Sequence, residues 1–380
     1  MLGFFALGVN VYIVSPILPQ MSRELQRTVA EVGLLVSAYS LPYALLGPFF
    51  GPMSDRLGRK LVFVGGLALF TLANLACAAA PSFEWLAIGR GMAGIGAAIF
   101  TPAVYAYVGD RFAYAERARA MSVILAAVPA ATILGLPLGG LAADWFGWRG
   151  AFAFIGVVAL VALLALYFIP RDTPQAGQAG SYLASLRTLL ANPVLLSALA
   201  VTFTWFMASS GIFTFLGEFF AQSFGMSTKQ IALVLGAYGL MGVVGTRLGG
   251  RFSDSLGKKR SVMLGITAFG LAALSLQAVG QSMPLALVVL SVWAIGIWFG
   301  LPSQQAILSE LMPSARGTVM GVNNSMLYLG SAVGPAVAGQ VYIGGSFGAL
   351  SLYTGAVAAI ALGLAALVLR DESHEVVPIS

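Results

Sequence analysis

The stretch Gly51-Pro-Met-Ser-Asp55-Arg-Leu-Gly58-Arg59-Lys60 sets one acid and three bases beside two glycines, and its pattern returns 199 residues later as Gly250, Asp254, Gly257 and Lys258. Glycine lets two helices approach closely, the acid can face a helix N-terminus, and the bases can bind acids on neighbouring helix ends. Asp110 and Glu310, 200 positions apart, each close an apolar run and complete two sets, Asp55/Arg59/Asp110 and Asp254/Lys258/Glu310. This is the chemistry of a reversible contact rather than of bond making. One reading is a latch that holds two parts of the molecule together in one state and releases them in another. The other is a solvated surface decoration worth about 0 to 1 kcal/mol per pair. Repetition of the spacing in both copies favours the latch.

Two further ionisable residues stand out by position. Arg90 lies about two turns inside an otherwise apolar run, where a charge is costly and faces a cavity or a partner, unless it snorkels outward. Glu218, near the end of another run, is the most plausible buried acid, because no Asp or Glu occupies the centre of any run; the alternative is a solvated helix-end residue. Cys77 is the one cysteine and His374 the one histidine. No metal site can be assembled from them, no cofactor is implied, and a catalytic set is absent, so the expectation is a protein that is not an enzyme. A Gly-x4-Gly-Lys-Ser/Thr phosphate loop is also missing.

The elements that must position these residues are written in the composition: 59% of the 380 residues are hydrophobic and 9% charged, and the mean hydropathy is +0.90. Soluble domains carry about a quarter charged residues, whereas a membrane helix needs about 20 apolar ones. Breaks at charges, prolines and glycines predict helices over 2 to 20, 31 to 52, 61 to 80, 84 to 108, 120 to 142 and 150 to 169. A second set follows at 194 to 217, 229 to 250, 262 to 281, 284 to 309, 317 to 341 and 349 to 369. The first run lacks a basic leader and reads as a span rather than a signal peptide. Between the sets, Pro174 to Gly180 reads as linker, and Tyr182, Leu183, Leu186, Leu189 and Leu190 suit one short interfacial helix.

The two sets are copies. Thr28-x-x-Glu31 and Ser227-x-x-Gln230 are capping boxes that open the second helix of each set, Pro102 matches Pro302, and Gly135 with Gly140 matches Gly334 with Gly339. The fold expected is an all-α membrane protein of twelve transmembrane helices in two pseudo-symmetric six-helix bundles, 1–169 and 193–380, joined by a linker over 170–192. The formal charge of +6 points to cytoplasmic loops rather than nucleic acid. Placing both termini inside gives fourteen Lys and Arg on the cytoplasmic side and four outside (Arg23, Arg27, Arg149 and Lys229), with Arg90 and Arg247 inside helices. A multi-pass protein of the plasma (inner) membrane, working as a monomer, is expected.

At these residues the chain resembles the major facilitator superfamily, and more narrowly its twelve-helix drug:proton antiporter branch. Gly51 to Lys60 is similar to the superfamily's signature between helices 2 and 3. Arg90-Gly-Met-Ala-Gly94-Ile-Gly96 resembles the helix 4 motif that antiporters link to proton coupling, with Ala93 where Gln is common. Gly135-Leu-Pro137-Leu-Gly139-Gly140 resembles the helix 5 antiporter motif with its proline one place later. The resemblance implies a cavity lined by helices 1, 4, 7 and 10. Its candidate residues are Asn10, Tyr12, Tyr105, Trp205, Met207, Ser209, Phe213, Trp293, Trp298 and Gln304, joined by Asn324 and Tyr328 from helix 11. A coupling role is implied for Arg90 and Glu218. Gly51, Asp55, Gly58, Arg59, Asp110, Asp254, Lys258 and Glu310 would form the cytoplasmic gate. Aromatic, methionine-rich walls suit amphipathic small molecules better than polyanions. The expected function is proton-coupled export of such compounds by alternating access. The alternatives are a facilitator or importer of a neutral metabolite such as a sugar or nucleoside, or a non-transporting sensor or enzyme in the same fold.

Overall fold

The computed structural model describes residues 1–112, 114–168, 179–342 and 346–369, and helix is the regular structure found among them. Twelve successive helical segments of span length can be traced through the described residues. The first, α1, is a pair of segments, Leu2–Tyr12 and Val14–Leu25, bent by 52° at their junction. Pro16 explains the break, because its missing N–H leaves the Tyr12 carbonyl without the usual i−4 donor. There follow α2 (Val29–Leu57), α3 (Arg59–Ala78) and α4 (Phe83–Arg111). Span α5 is composite: Tyr114–Leu125, Ala127–Ala130, a π-helical turn Ala131–Gly135 and Leu136–Phe146. The π turn sits just before Pro137 and between two prolines that each remove a rung of the ladder. Span α6 is Trp148–Tyr167.

The second set comprises α7 (Pro193–Phe224), α8 (Thr228–Leu256), α9 (Lys258–Ser275), α10 (Met283–Leu311), α11 (Arg316–Val341) and α12 (Phe347–Val368). Among the described residues nine helices are long and apolar enough to cross a membrane, and the bent pair makes a tenth. The basic start of α9 and the more polar α11 keep those two below that measure, yet they occupy the places in the second set that α3 and α5 hold in the first. A linker helix, Ala179–Leu190, precedes α7; Leu189 is buried and Leu186 half-buried, while Leu190 is exposed. Residues 170–178 of the expected linker, with Arg171, and the tail with Arg370 and His374 lie outside the described residues.

Both capping boxes form. Thr28 Oγ1 accepts from the Glu31 N–H and the Glu31 carboxylate from the Thr28 N–H, and Ser227 and Gln230 do the same at α8. One expectation changes here. Gly51 to Lys60 is not a loop: α2 runs on to Leu57 and only Gly58 separates it from α3, at φ 90°, while Gly257 repeats the turn at φ 88°. That backbone region favours glycine, so a single residue reverses the chain.

The pairing within the halves is the same in each: α3 packs on α4 and α6, and α2 on α4, as α9 packs on α10 and α12, and α8 on α10. Small residues set these crossings. A Cβ on Gly96 would meet the Phe70 nitrogen at 2.6 Å, and one on Gly296 would meet the Phe269 nitrogen at 2.8 Å. Close backbone packing of this kind is what holds helices together where lipid removes the hydrophobic drive. The halves meet along α2–α11, α5–α8 and α1–α7. We call the end carrying the α2–α3 and α8–α9 turns the termini face and the other end the distal face.

Candidate functional site

At the distal end the seam between the halves is tight. A Cβ on Gly217 of α7 would strike the Ser15 carbonyl of α1, and one on Gly140 of α5 would strike Ala232 of α8. Ser15 Oγ donates to the Phe213 carbonyl (2.7 Å) and accepts from the Gly217 N–H (3.3 Å), so one hydroxyl of the first half bridges both ends of a helical rung of the second. Ser37 Oγ donates to the Ala332 carbonyl across α2 and α11 (2.5 Å).

Below this seal lies a cavity of about 260 Å³ that residues of both halves line. The rings of Tyr43 (α2) and Tyr328 (α11) stack across the seam with their centroids 3.7 Å apart, and Asn324 Nδ2 donates to the Tyr43 hydroxyl at 3.3 Å. Of the candidate residues, Tyr12, Tyr105, Ser209, Phe213, Trp298, Asn324 and Tyr328 line the cavity. Five expected residues do not. Asn10 points into a buried network, Trp205 and Trp293 are buried in the packing of the second half, and Met207 sets its backbone against Gly330 and Gly334. Gln304 donates to the Ala198 carbonyl (2.8 Å) and Thr202 Oγ1 (3.3 Å) inside its own half, while its neighbour Gln305 reaches the cavity. Successive helical residues are turned by about 100°, and composition alone does not fix that phase. Tyr43, Tyr238, Ser40 and Thr101 also line the cavity and were not singled out; the one-turn spacing of Tyr39 and Tyr43 on α2 was the available signal.

Arg90 is fully buried and does not snorkel. Gly94, whose Cβ would collide with the Tyr39 carbonyl, brings α4 against α2 and lets the guanidinium reach across. Nε donates to the Leu35 carbonyl at 3.1 Å, and Nη1 to the Asn10 carbonyl (3.3 Å) and to Asn10 Oδ1. Asn10 Nδ2 in turn donates to Asn74 Oδ1, and Asn74 Nδ2 to the Phe70 carbonyl. The guanidinium also covers the rings of Tyr39 (4.8 Å) and Phe152 (5.8 Å). Amides, carbonyls and ring faces thus stand where an acid would normally meet a buried arginine.

Glu218 is buried at the distal end of α7. Its Oε1 accepts from Gln222 Nε2 at 2.7 Å, and Oε2 is buried with no hydrogen-bond partner among the described residues. At the termini face, Arg59 donates to Asp110 (2.9 Å), Ser54 Oγ (2.7 Å) and the Gly51 carbonyl (3.3 Å). Lys258 donates to both oxygens of Glu310 at 2.6 Å. Each of these pairs stays within its own half. Asp254 lies beside Gly257, Lys258 and Glu310 in a groove of the second half. A Cβ on Gly51 would touch Pro102 at 3.8 Å. The side chain of Asp55 lies outside the described residues.

Two pseudo-symmetric six-helix bundles around a shared central cavity define a membrane transporter. The chain belongs to the Major Facilitator Superfamily, whose model matches residues 1–335 and, in a second match, 218–379. It is a multi-pass transporter and not an enzyme. It is 30% identical over 354 residues to the MFS-type transporter YceJ of Bacillus subtilis (strain 168), covering 92% of this chain and 90% of that one. It is 26% identical to Multidrug resistance protein 2 of the same organism, covering 90% and 87%. With Quinolone resistance protein NorA of Staphylococcus aureus (strain MSSA476) it shares 24% identity, covering 90% and 88%. Among solved structures it matches a bacterial homolog of the human lysosomal transporter Spinster in an inward-facing, unoccupied conformation. The TM-score is 0.79 at 19% identity, over 97% of this chain and 95% of that one. A D-xylose-proton symporter matches with TM-score 0.79 at 17% identity, over 97% and 96%.

Proposed function

We propose that this transporter exports small amphipathic organic compounds by alternating access, driven by inward proton flow. The carrying observation is the cavity at the seam, walled by tyrosines, Trp298, Phe213 and uncharged polar side chains. Apolar walls with a few hydrogen-bonding groups accept many amphipathic shapes. The names of two relatives, a multidrug and a quinolone resistance protein, support export of such compounds. In this reading both termini and the linker are cytoplasmic, and the sealed distal face is external. The two described ion pairs at the termini face, Arg59–Asp110 and Lys258–Glu310, each join residues of one half, an arrangement that suits a state whose cavity faces the cytoplasm.

In the opposite state the termini face closes, and the Gly51/Asp55/Gly58/Arg59/Asp110 set and its Asp254/Lys258/Glu310 copy hold the halves together. Glu218 is the proton carrier, supported by its burial and by an Oε2 that has no hydrogen-bond partner among the described residues. Arg90 is the fixed charge of the first half, working through Asn10, two residues before the cavity residue Tyr12.

The test is dye extrusion from cells expressing the wild type and Tyr328→Ala. The wild type is expected to lower steady-state accumulation of amphipathic dyes several-fold, and the variant, at equal membrane abundance, to lose most of that effect. Equal extrusion by both would remove the cavity from the account.

A further inference from the structure

We propose that the central cavity selects uncharged aromatic amphiphiles and discriminates against organic cations, with Arg90 as the discriminating charge. This deepens the export reading and rests on it.

Three observations converge. None of the described residues lining the cavity is Asp, Glu, Lys, Arg or His, so a cation entering it finds no counter-charge to offset its lost hydration. The one fully buried charge among the described residues, Arg90, has the same sign as the excluded ligand. The Arg90 guanidinium lies over Tyr39, whose ring is 6.5 Å from those of the cavity residues Tyr43 and Tyr328, and its hydrogen bonds go to Asn10, two residues before Tyr12. No carboxylate among its described hydrogen-bond partners neutralises it, so its field extends toward the cavity through a low-dielectric wall. Arginine keeps this charge throughout the working pH range.

Aromatic faces could rescue a cation, and here many of those faces are already engaged. Tyr43 and Tyr328 cover each other, Tyr105 stacks on Phe4 at 5.3 Å, and the Tyr39 face is held by Arg90 itself. What the cavity offers is hydroxyl, amide and indole groups for a neutral hydrogen-bonding ring system, with apolar walls for its body.

The experiment compares two near-isosteres that differ in charge, 4-phenylpyridine and N-methyl-4-phenylpyridinium. Equilibrium dialysis uses the detergent-purified full chain at pH 8, where the first is uncharged, with protein-free micelles as control. The wild type is expected to bind the neutral probe at least tenfold more tightly, equivalent to about 1.4 kcal/mol. Two variants separate charge from shape. Arg90→Gln, which keeps donors and removes the charge, is expected to raise cation affinity and narrow the gap. Asn324→Asp, isosteric in the cavity wall, is expected to raise it at least tenfold without needing Arg90 altered, and so keeps the test open if Arg90→Gln does not fold. Cation binding as tight as neutral binding in the wild type, or an unchanged ratio in Asn324→Asp, overturns the proposal. Binding of neither probe by a folded protein removes the aromatic-amphiphile reading beneath it, and the proposal with it.

Discussion

A buried arginine held by carbonyls and amides is a narrow solution, because each donor left unmet in the membrane interior costs free energy that no water offsets. Arg90 was visible in the sequence as a lone charge in an apolar run. Its partners were not, since Asn10, Leu35 and Asn74 come from three other segments and their convergence depends on the Gly94 crossing. Arg90→Ala strips that network of its donor and is expected to impair both driven accumulation and downhill exchange at least tenfold, measured as initial rates at matched protein levels. Glu218 gives a contrasting prediction. A neutral glutamine cannot carry a proton, so Glu218→Gln is expected to abolish accumulation driven by a pH gradient while leaving downhill exchange measurable. Wild-type accumulation by this variant would assign coupling elsewhere. The sequence left Glu218 open between burial and a solvated helix end, and only the packing of α7 against its neighbours decides for burial.

Helix ends and crossings were legible wherever the sequence carries its own local chemistry. The two capping boxes were read from spacing and form as hydrogen-bonded pairs; Thr28→Ala is expected to cost about 1 kcal/mol, read as a lower thermal midpoint in detergent. The length of α2 was misread because charges at its end suggested a loop, although a helix can project beyond the membrane with Arg56 in water and break only at Gly58. The bend of α1 and the π turn of α5 follow from prolines whose effect depends on which carbonyls neighbours can satisfy. Gly217 offers the sharpest test at this scale. Its Cβ would collide with the Ser15 carbonyl across the distal seam, so Gly217→Ala is expected to disfavour the distally closed state. A single cysteine at Ser209, in a Cys77→Ala background, would then label several-fold faster with an impermeant thiol reagent applied from the distal side. Unchanged labelling would show that this crossing does not gate access.

For the whole molecule, the internal repeat makes the two-bundle architecture readable in the sequence, because matched residues fall on helices of the same direction. Which faces of those helices look into the cavity was only half readable: Gln305 lines it and Gln304 does not. Orientation in the membrane rests on the basic asymmetry alone. Single cysteines at Thr188 and Lys229 are expected to label from inside and outside respectively, and the reverse pattern would invert the export direction. The central claim joins cavity, proton and substrate, and its most direct measurement is dye uptake into proteoliposomes holding the purified protein under an imposed pH gradient. Vesicles acidic inside are expected to accumulate an amphipathic dye above protein-free controls, and a protonophore is expected to collapse that accumulation. Accumulation no greater than in protein-free vesicles, or uptake indifferent to the gradient and the protonophore, would contradict proton-driven export.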